Sequence, residues 1–161
     1  MKITSKTFEN LSYKYYSFAF GLLPDELMAT QLLIDSVTKI SVMNRDQLKE
    51  EDISVALDPR KLELDFLKGA FELSKIRFEH FKDSRQLNNF DHSEKNSSFF
   101  LLGIEERAAL YLKDKYGFSF KDTAYILGTS YEETLALIHR VRAEFLDLND
   151  HSTQQGGIHG L

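Results

Sequence analysis

The last third of the chain is the part whose sequence most limits the fold. A helical pattern ends at Gly117, a glycine stop, and Ser119 can cap a short helix with Asp122 three residues further on. Gly128 permits a tight turn, and Ser130 can cap a longer helix that opens on two glutamates. A short helix, a turn that contains glycine and a longer helix together predict a helix-turn-helix.

The first part of the chain has the apolar period of amphipathic helices. Three helices are predicted, over about residues 8–23, 24–43 and 59–82, the last with Asp58-Pro59 as its cap and first turn. The polar stretch 44–57 is interpreted as a loop or a short helix.

An abrupt change of composition separates the two parts. Residues 83–97 are mostly Asn, Asp, Ser and charged side chains, which is typical of a linker. The predicted organisation is therefore an all-α chain of two small helical units, 1–82 and 98–150, followed by a disordered tail at 151–161.

Composition narrows the classes of function. The formal net charge of −5 disfavours general attraction to nucleic acid, and the absence of cysteine excludes disulfides and thiolate metal sites. No apolar run reaches the roughly 18 residues that span a bilayer, and the N-terminus carries no signal-peptide pattern. We therefore expect a cytoplasmic protein that does not bind membranes.

The C-terminal unit resembles the promoter-reading domain of extracytoplasmic-function (ECF) sigma factors over about 45 residues without a gap. The matching residues are Leu102, Arg107, Gly117-Phe118-Ser119-Phe120, Asp122-Thr123-Ala124, Leu127-Gly128, Ser130 and Arg140-Val141-Arg142. A helix-turn-helix of another family is the alternative.

The N-terminal unit is similar to the same family's N-terminal domain. From Tyr15 to Ile40 it has an aromatic helix, a Leu-Leu-Pro-Asp break and an alanine at position 29. The resemblance implies a region-two-like domain, a linker and a region-four-like domain. It also implies RNA polymerase core, an anti-sigma factor or another regulatory protein, and promoter DNA as partners.

The residues expected to read DNA depart from the family pattern. Where the family has a Thr-Val-Lys-Ser-Arg run, this chain has 133–137, with a glutamate first and leucines at both basic positions. Leucine cannot pair with phosphate or guanine, and residues 98–150 hold three Lys and three Arg against nine Asp and Glu. If DNA binding is retained, the candidate contacts are Lys121, Tyr131, His139, Arg140 and Arg142.

Other positions suggest protein contacts instead. Leu137 falls within the apolar arc of the last helix, whereas Leu135 lies well off its centre, beside Glu132. An exposed leucine on a face expected to read DNA indicates a protein contact. In the N-terminal unit the family's polymerase-contacting Ala-Glu-Asp-Leu-Val-Gln run is replaced by 29–34. The candidate protein-interaction residues are Ile34, Glu132, Glu133 and Leu135.

No pattern indicates catalysis. Five histidines lie without metal-binding spacing, and no glycine loop is placed to bind phosphate. The histidines are His80, His92, His139, His151 and His159. We predict a protein that is not an enzyme, with no metal, no cofactor and no small-molecule substrate.

Two functions compete on these observations. The first is a sigma-factor-like transcription regulator that acts mainly through protein contacts, with weakened or lost DNA binding. The second is a divergent working sigma factor that binds promoter DNA and directs transcription initiation. A helical scaffold with no role in transcription is a third possibility.

Overall fold

The structure is a computed structural model that describes residues 5–43, 58–82 and 97–155. Every regular element within these ranges is helical, so the predicted all-α class is confirmed. Within the same ranges no helix has both the length and the hydrophobicity needed to cross a membrane.

Four helices form the N-terminal half, which is residues 5–43 and 58–82. They are α1 (Ser5–Lys14), α2 (Tyr16–Leu22), α3 (Glu26–Met43) and α4 (Pro59–Lys82). Asp25 accepts a hydrogen bond from the Met28 N–H at 2.8 Å, and Asp58 accepts one from the Arg60 N–H at 3.0 Å. These acids satisfy free amides in the first turns of α3 and α4, as the Pro24 and Asp58-Pro59 signals predicted.

The single helix predicted over 8–23 is divided at Tyr15. The backbone of Tyr15 leaves helical geometry (φ −107°, ψ 14°), although hydrogen bonds from Tyr15 to Leu11 and from Ala19 to Tyr15 still cross the break. The Tyr15 side chain is fully buried, and its hydroxyl donates to Glu63 of α4 at 2.6 Å. This anchor lies 48 residues away in sequence, so the apolar period of the helix could not reveal it.

The C-terminal half is residues 97–155. It contains α5 (Ser97–Leu101), α6 (Ile104–Leu110) with a π-helical turn after it (Tyr111–Lys115), α7 (Phe120–Leu127) and α8 (Tyr131–Gln155). The short α5 was not predicted. The expected tail at 151–161 is partly wrong, because α8 continues to Gln155 and the sequence has no helix breaker before Gly156.

Several predictions fall outside the described residues. They are the loop at 44–57, nearly all of the linker at 83–97, and the end of the tail at 156–161.

One hydrophobic core joins the two halves. Its fully buried large side chains come from both: Tyr15, Phe18, Leu22, Leu32, Phe66, Leu67, Leu112, Ile126 and Ile138. The helices α2 and α4 pack against α6 and α7. We call this set of contacts between the two halves the junction. The sequence did not indicate whether the two predicted units pack together; in the structure they do.

Candidate nucleic-acid and protein interface

Helices α7 and α8 and the turn between them form what we call the C-terminal helix pair. The turn depends on Gly128, whose φ of +69° is rare for residues with a Cβ. At the start of α7 the Ser119 hydroxyl accepts the Asp122 N–H at 3.0 Å. The short helix, turn and longer helix therefore form where the caps and the glycine predicted them.

The start of α8 is closed by a reciprocal cap. The Glu133 N–H donates to the Ser130 hydroxyl at 3.1 Å, and the Ser130 N–H donates to the Glu133 carboxylate at 2.8 Å. These hydrogen bonds hold the pKa of Glu133 below its ordinary value. The Glu133 carboxylate therefore has a structural partner within its own helix, whereas Glu132 beside it is exposed.

The two arginines of α8 face carboxylates of the same half of the protein. Arg142 binds Asp114 through two guanidinium nitrogens, and Arg140 lies 3.4 Å from Glu106. Both pairs are on the surface, and the exposed fraction of the Arg140 side chain is 66%. Exposed ion pairs contribute little stability. Each pair nevertheless places a carboxylate beside the positive charge of an arginine.

The remaining candidate DNA contacts do not form a basic cluster. Lys121 and His139 are exposed, and Tyr131 is half exposed with its ring 6.0 Å from the ring of Phe120. No group of three or more His, Cys, Asp or Glu side chains among the described residues is arranged to hold a metal ion.

Leu135 is half-buried, so its expected exposure is wrong. It follows the fully buried Thr134 and precedes the fully buried Ile138 by three positions, which places it at the edge of the stripe that packs inward. Leu137 packs against the core as its position in the apolar arc predicted.

The outer face of α3 carries two exposed apolar side chains among uncharged polar ones. Ile34 is 53% exposed and Leu27, seven residues earlier on the same face, is 77% exposed. The charged neighbours Asp35 and Lys39 pair sideways with Arg77 and Glu72 of α4. The spacing of Leu27 and Ile34 is visible in the sequence, but the same spacing also fits a buried stripe.

At one edge of the junction, α7 lies against α4. Asp122 accepts a hydrogen bond from Arg60 at 2.8 Å, and the Tyr125 hydroxyl donates to Asp65 at 2.5 Å. The hydrogen bond to Asp65 is the main cause that raises the pKa of Tyr125 to about 12. Helix α7 is therefore bound by an arginine and a carboxylate of the N-terminal half.

The centre of the junction is aromatic. The ring of Tyr15 meets that of Tyr116 edge-on at 5.0 Å, and the Tyr116 hydroxyl is 2.8 Å from the Ser17 hydroxyl. Burial, followed by the hydrogen bond to Glu63, raises the pKa of Tyr15 above its ordinary value. Burial also acts to raise the pKa of Glu63, but hydrogen bonds from Lys14, Tyr15 and Arg60 outweigh it and lower that pKa overall.

Close helix approach at the other edge requires glycine. A Cβ built on Gly21 of α2 would lie 2.3 Å from the Tyr111 ring. None of these contacts across the junction was predicted, because each joins residues far apart in the sequence.

The fold is similar to that of a solved sigma factor. The structure of the sigma factor RpoE in complex with the anti-sigma factor NepR from Bartonella quintana matches with a TM-score of 0.61 and 18% identity, over 90% of this chain and 95% of that chain. No protein-family model and no curated protein matches the sequence. The chain therefore has an all-α, sigma-factor-like fold.

Proposed function

We propose that the protein is a sigma-factor-like transcription regulator that acts mainly through protein contacts, with weakened or lost DNA binding. Its partners would be RNA polymerase core, an anti-sigma factor or another regulatory protein. The role is non-catalytic and belongs in the cytoplasm, where transcription takes place. The structure with a similar fold is a complex of a sigma factor with an anti-sigma factor, which supports a partner of this kind.

The chemistry of the C-terminal helix pair carries the proposal. If the pair is a helix-turn-helix, the first turns of α8 would face the bases. Those turns present Glu132 and Glu133, and the only two arginines of α8 pair with Asp114 and Glu106. Phosphate binding depends on free cations that displace counterions, and this surface offers few.

The junction adds to the same effect. Asp122 and Tyr125 of α7 are bound to α4, whose side chains here include Glu63 and Asp65. A DNA backbone that approached α7 would find Asp122 and Tyr125 already covered by α4. Closed packing of the two halves therefore works against DNA binding.

A protein-binding surface is available on α3. Leu27 and Ile34 are exposed apolar side chains on a face whose other exposed residues, Thr30, Gln31 and Thr38, are uncharged, which suits a protein partner better than a nucleic acid. Because Leu135 is half-buried and Ile34 is exposed, Ile34 is the strongest of the four candidate interaction residues.

The test compares Ile34→Asp with Leu146→Asp, because Leu146 is an exposed leucine of α8 away from α3 (64% exposed). We expect Ile34→Asp to weaken binding to purified RNA polymerase core or to the anti-sigma factor by about tenfold or more. Both variants should keep the parental melting temperature, because surface changes alter stability by only about 0.5 kcal/mol. Equal binding by both variants would contradict the proposal.

The alternative is a divergent working sigma factor. The observation that favours it is exposure: Lys121, His139 and Arg140 reach solvent, and surface ion pairs can be exchanged for phosphate. This function predicts DNA affinity that falls steeply with salt and that decreases on Arg140→Ala and Arg142→Ala. The proposed function predicts little effect of either substitution on partner binding.

A further inference from the structure

A pocket opens between α2 and the C-terminal half of the protein. Its volume is about 440 Å³, and it is open to solvent. Five of the side chains that line it are aromatic: Phe20 of α2, Phe99 and Phe100 of α5, Tyr111 of the π-helical turn and Phe145 of α8. Small-molecule sites are mostly apolar clefts of about 300–1,000 Å³, so this pocket has the size and the lining of such a site.

The aromatic walls of the pocket hold one another in place. The ring of Phe99 meets the rings of Phe100 and Tyr111 edge-on at 5.3 Å each, and that of Phe145 edge-on at 6.4 Å. Tyr111 is held from its other side because its ring packs directly against Gly21 of α2. Aromatic rings prefer to pack against other rings in this edge-to-face way. The pocket is therefore preformed, and it suits a ligand that is itself aromatic.

The π-helical turn supplies the polar part of the lining. Its hydrogen bond from the Tyr116 N–H to the Tyr111 carbonyl, at 3.0 Å, spans five residues where an α-helix spans four. Tyr111, Asp114 and Lys115 of this turn all line the pocket. Turns of this kind are rare and occur frequently at functional sites. The turn thus indicates a ligand site independently of the volume of the pocket.

The charges at the pocket favour an anion. Asp114 lines it, but Arg142 binds the Asp114 carboxylate through two guanidinium nitrogens. The exposed Lys115 also lines it, with its ammonium 4.9 Å from the centre of the Tyr111 ring. Two cations therefore accompany one carboxylate, and a negatively charged group on a ligand would be attracted to this side of the pocket.

We propose that the pocket is a binding site for a small aromatic carboxylate, whose rings pack among the aromatic side chains and whose carboxylate binds the Lys115 ammonium. Such a ligand would touch both halves of the protein, with Phe20 on one side and Phe99 and Phe145 on the other. The site is separate from the outer face of α3 and does not depend on the proposed function. It could not be predicted from the sequence, because its aromatic residues are spread from position 20 to position 145 and each also fits a core position.

The test uses the full chain with β-naphthoate as the probe and β-naphthylmethanol as its uncharged counterpart. Calorimetric titration measures both affinities. We expect a Kd of about 1 mM or tighter for β-naphthoate, the range for a ligand of this size. The alcohol should bind about threefold to fivefold more weakly, because it lacks the charge that Lys115 attracts.

Two charge variants with opposite expected effects locate the carboxylate. Lys115→Gln should weaken β-naphthoate about threefold to fivefold and leave the alcohol unchanged. Asp114→Asn removes the carboxylate and releases Arg142, so it should strengthen β-naphthoate by about the same factor. Lys121→Gln, at an exposed lysine of α7 that does not line the pocket, is the matched control and should change neither affinity. All three positions are exposed, so the variants should keep the parental melting temperature.

Amide NMR shifts show where the probe binds, and we expect the largest at Phe99, Tyr111 and Phe145. A second cavity of about 450 Å³, lined by charged residues that include Lys14 and Glu63, is the internal comparison. Shifts centred on that cavity would overturn the proposal, as would the absence of saturable binding at about ten times the expected Kd. Equal affinities for the acid and the alcohol, an unchanged affinity in Lys115→Gln, or tighter binding of octanoate, which has the charge without the rings, would also overturn it.

Discussion

The C-terminal helix pair and the junction are stabilised by contacts of different range. Within the helix pair, Ser119, Gly128 and Ser130 act on residues within five positions of themselves. In the junction, Arg60 contacts Asp122, and Ser17 contacts Tyr116, across 62 and 99 positions. Local contacts fix the shape of a helix pair, whereas the long-range ones determine what that pair can reach.

High pH should break the junction and with it the fold. Burial is the main cause that raises the pKa of Tyr15, Tyr111 and Tyr116 above the ordinary value of 10.0. Their neutral forms stabilise the folded state in full below pH 10, and this stability is lost as the pH rises through the folded pKa values. Burial lowers the pKa of Arg107 to about 10, so its deprotonation above that pH favours the folded state and opposes the loss of stability. It is one group against the three tyrosines. We expect cooperative unfolding above pH 10.

Circular dichroism and tyrosinate absorbance check this prediction. Tyr15, Tyr111 and Tyr116 should ionise only as the helical signal is lost. Ionisation of these three tyrosines with the helices intact would contradict the described burial.

Tyr15→Ala should lower the free energy of unfolding by about 3–5 kcal/mol, the range for removal of a large buried ring, because Tyr15 packs in the junction. Tyr13→Ala, two residues earlier and 90% exposed, is the matched control and should change stability by less than about 0.5 kcal/mol. Urea unfolding of the two variants measures the difference. Similar losses in both would mean that Tyr15 does not join the two halves.

Gly21→Ala should destabilise the protein by about 1–3 kcal/mol, because the added methyl overlaps the Tyr111 ring. Gly69→Ala is the control: its Cβ would meet only Lys39 at 3.7 Å, so the better helix former should stabilise α4 by up to about 1 kcal/mol. The opposite signs of the two changes can be read from melting curves. Two stabilising substitutions would exclude a tight contact at Gly21.

Gly128→Ala tests the local contacts that stabilise the C-terminal helix pair. An alanine at φ +69° is strained by about 1–2 kcal/mol, although no atom lies within 4 Å of its Cβ. The loss should fall on the C-terminal helix pair and leave α3 and α4 protected, which hydrogen exchange can resolve. Uniform loss of protection would instead indicate that the helix pair and the junction unfold as one unit.

The local signals were sufficient to predict much of the fold. Asp58-Pro59, Ser119, Gly128 and Ser130 act on their immediate neighbours, so the helix starts and the turn could be predicted from them. The end of α8 was missed because composition suggested a tail, although no residue before Gly156 stops a helix.

The candidate site was harder to predict. Pairing of Arg142 with Asp114 joins residues 28 positions apart, and the anchor of Tyr15 joins residues 48 apart. The exposure of Leu135 was predicted from its angle around the axis of α8. That angle alone does not show how far the neighbouring helices cover the edge of the apolar stripe. Long-range contacts such as these depend on how the helices pack, which no local pattern encodes.

The most direct test of the proposed function is a pull-down of the full chain from its native cell extract. The eluate is examined for RNA polymerase core, for regulatory proteins and for sequence-specific DNA, with Ile34→Asp as the comparison. We predict recovery of a protein partner without specific DNA, and loss of that partner with Ile34→Asp. Specific DNA that is kept by Ile34→Asp and lost with Arg140→Ala and Arg142→Ala would contradict the account and support a working sigma factor.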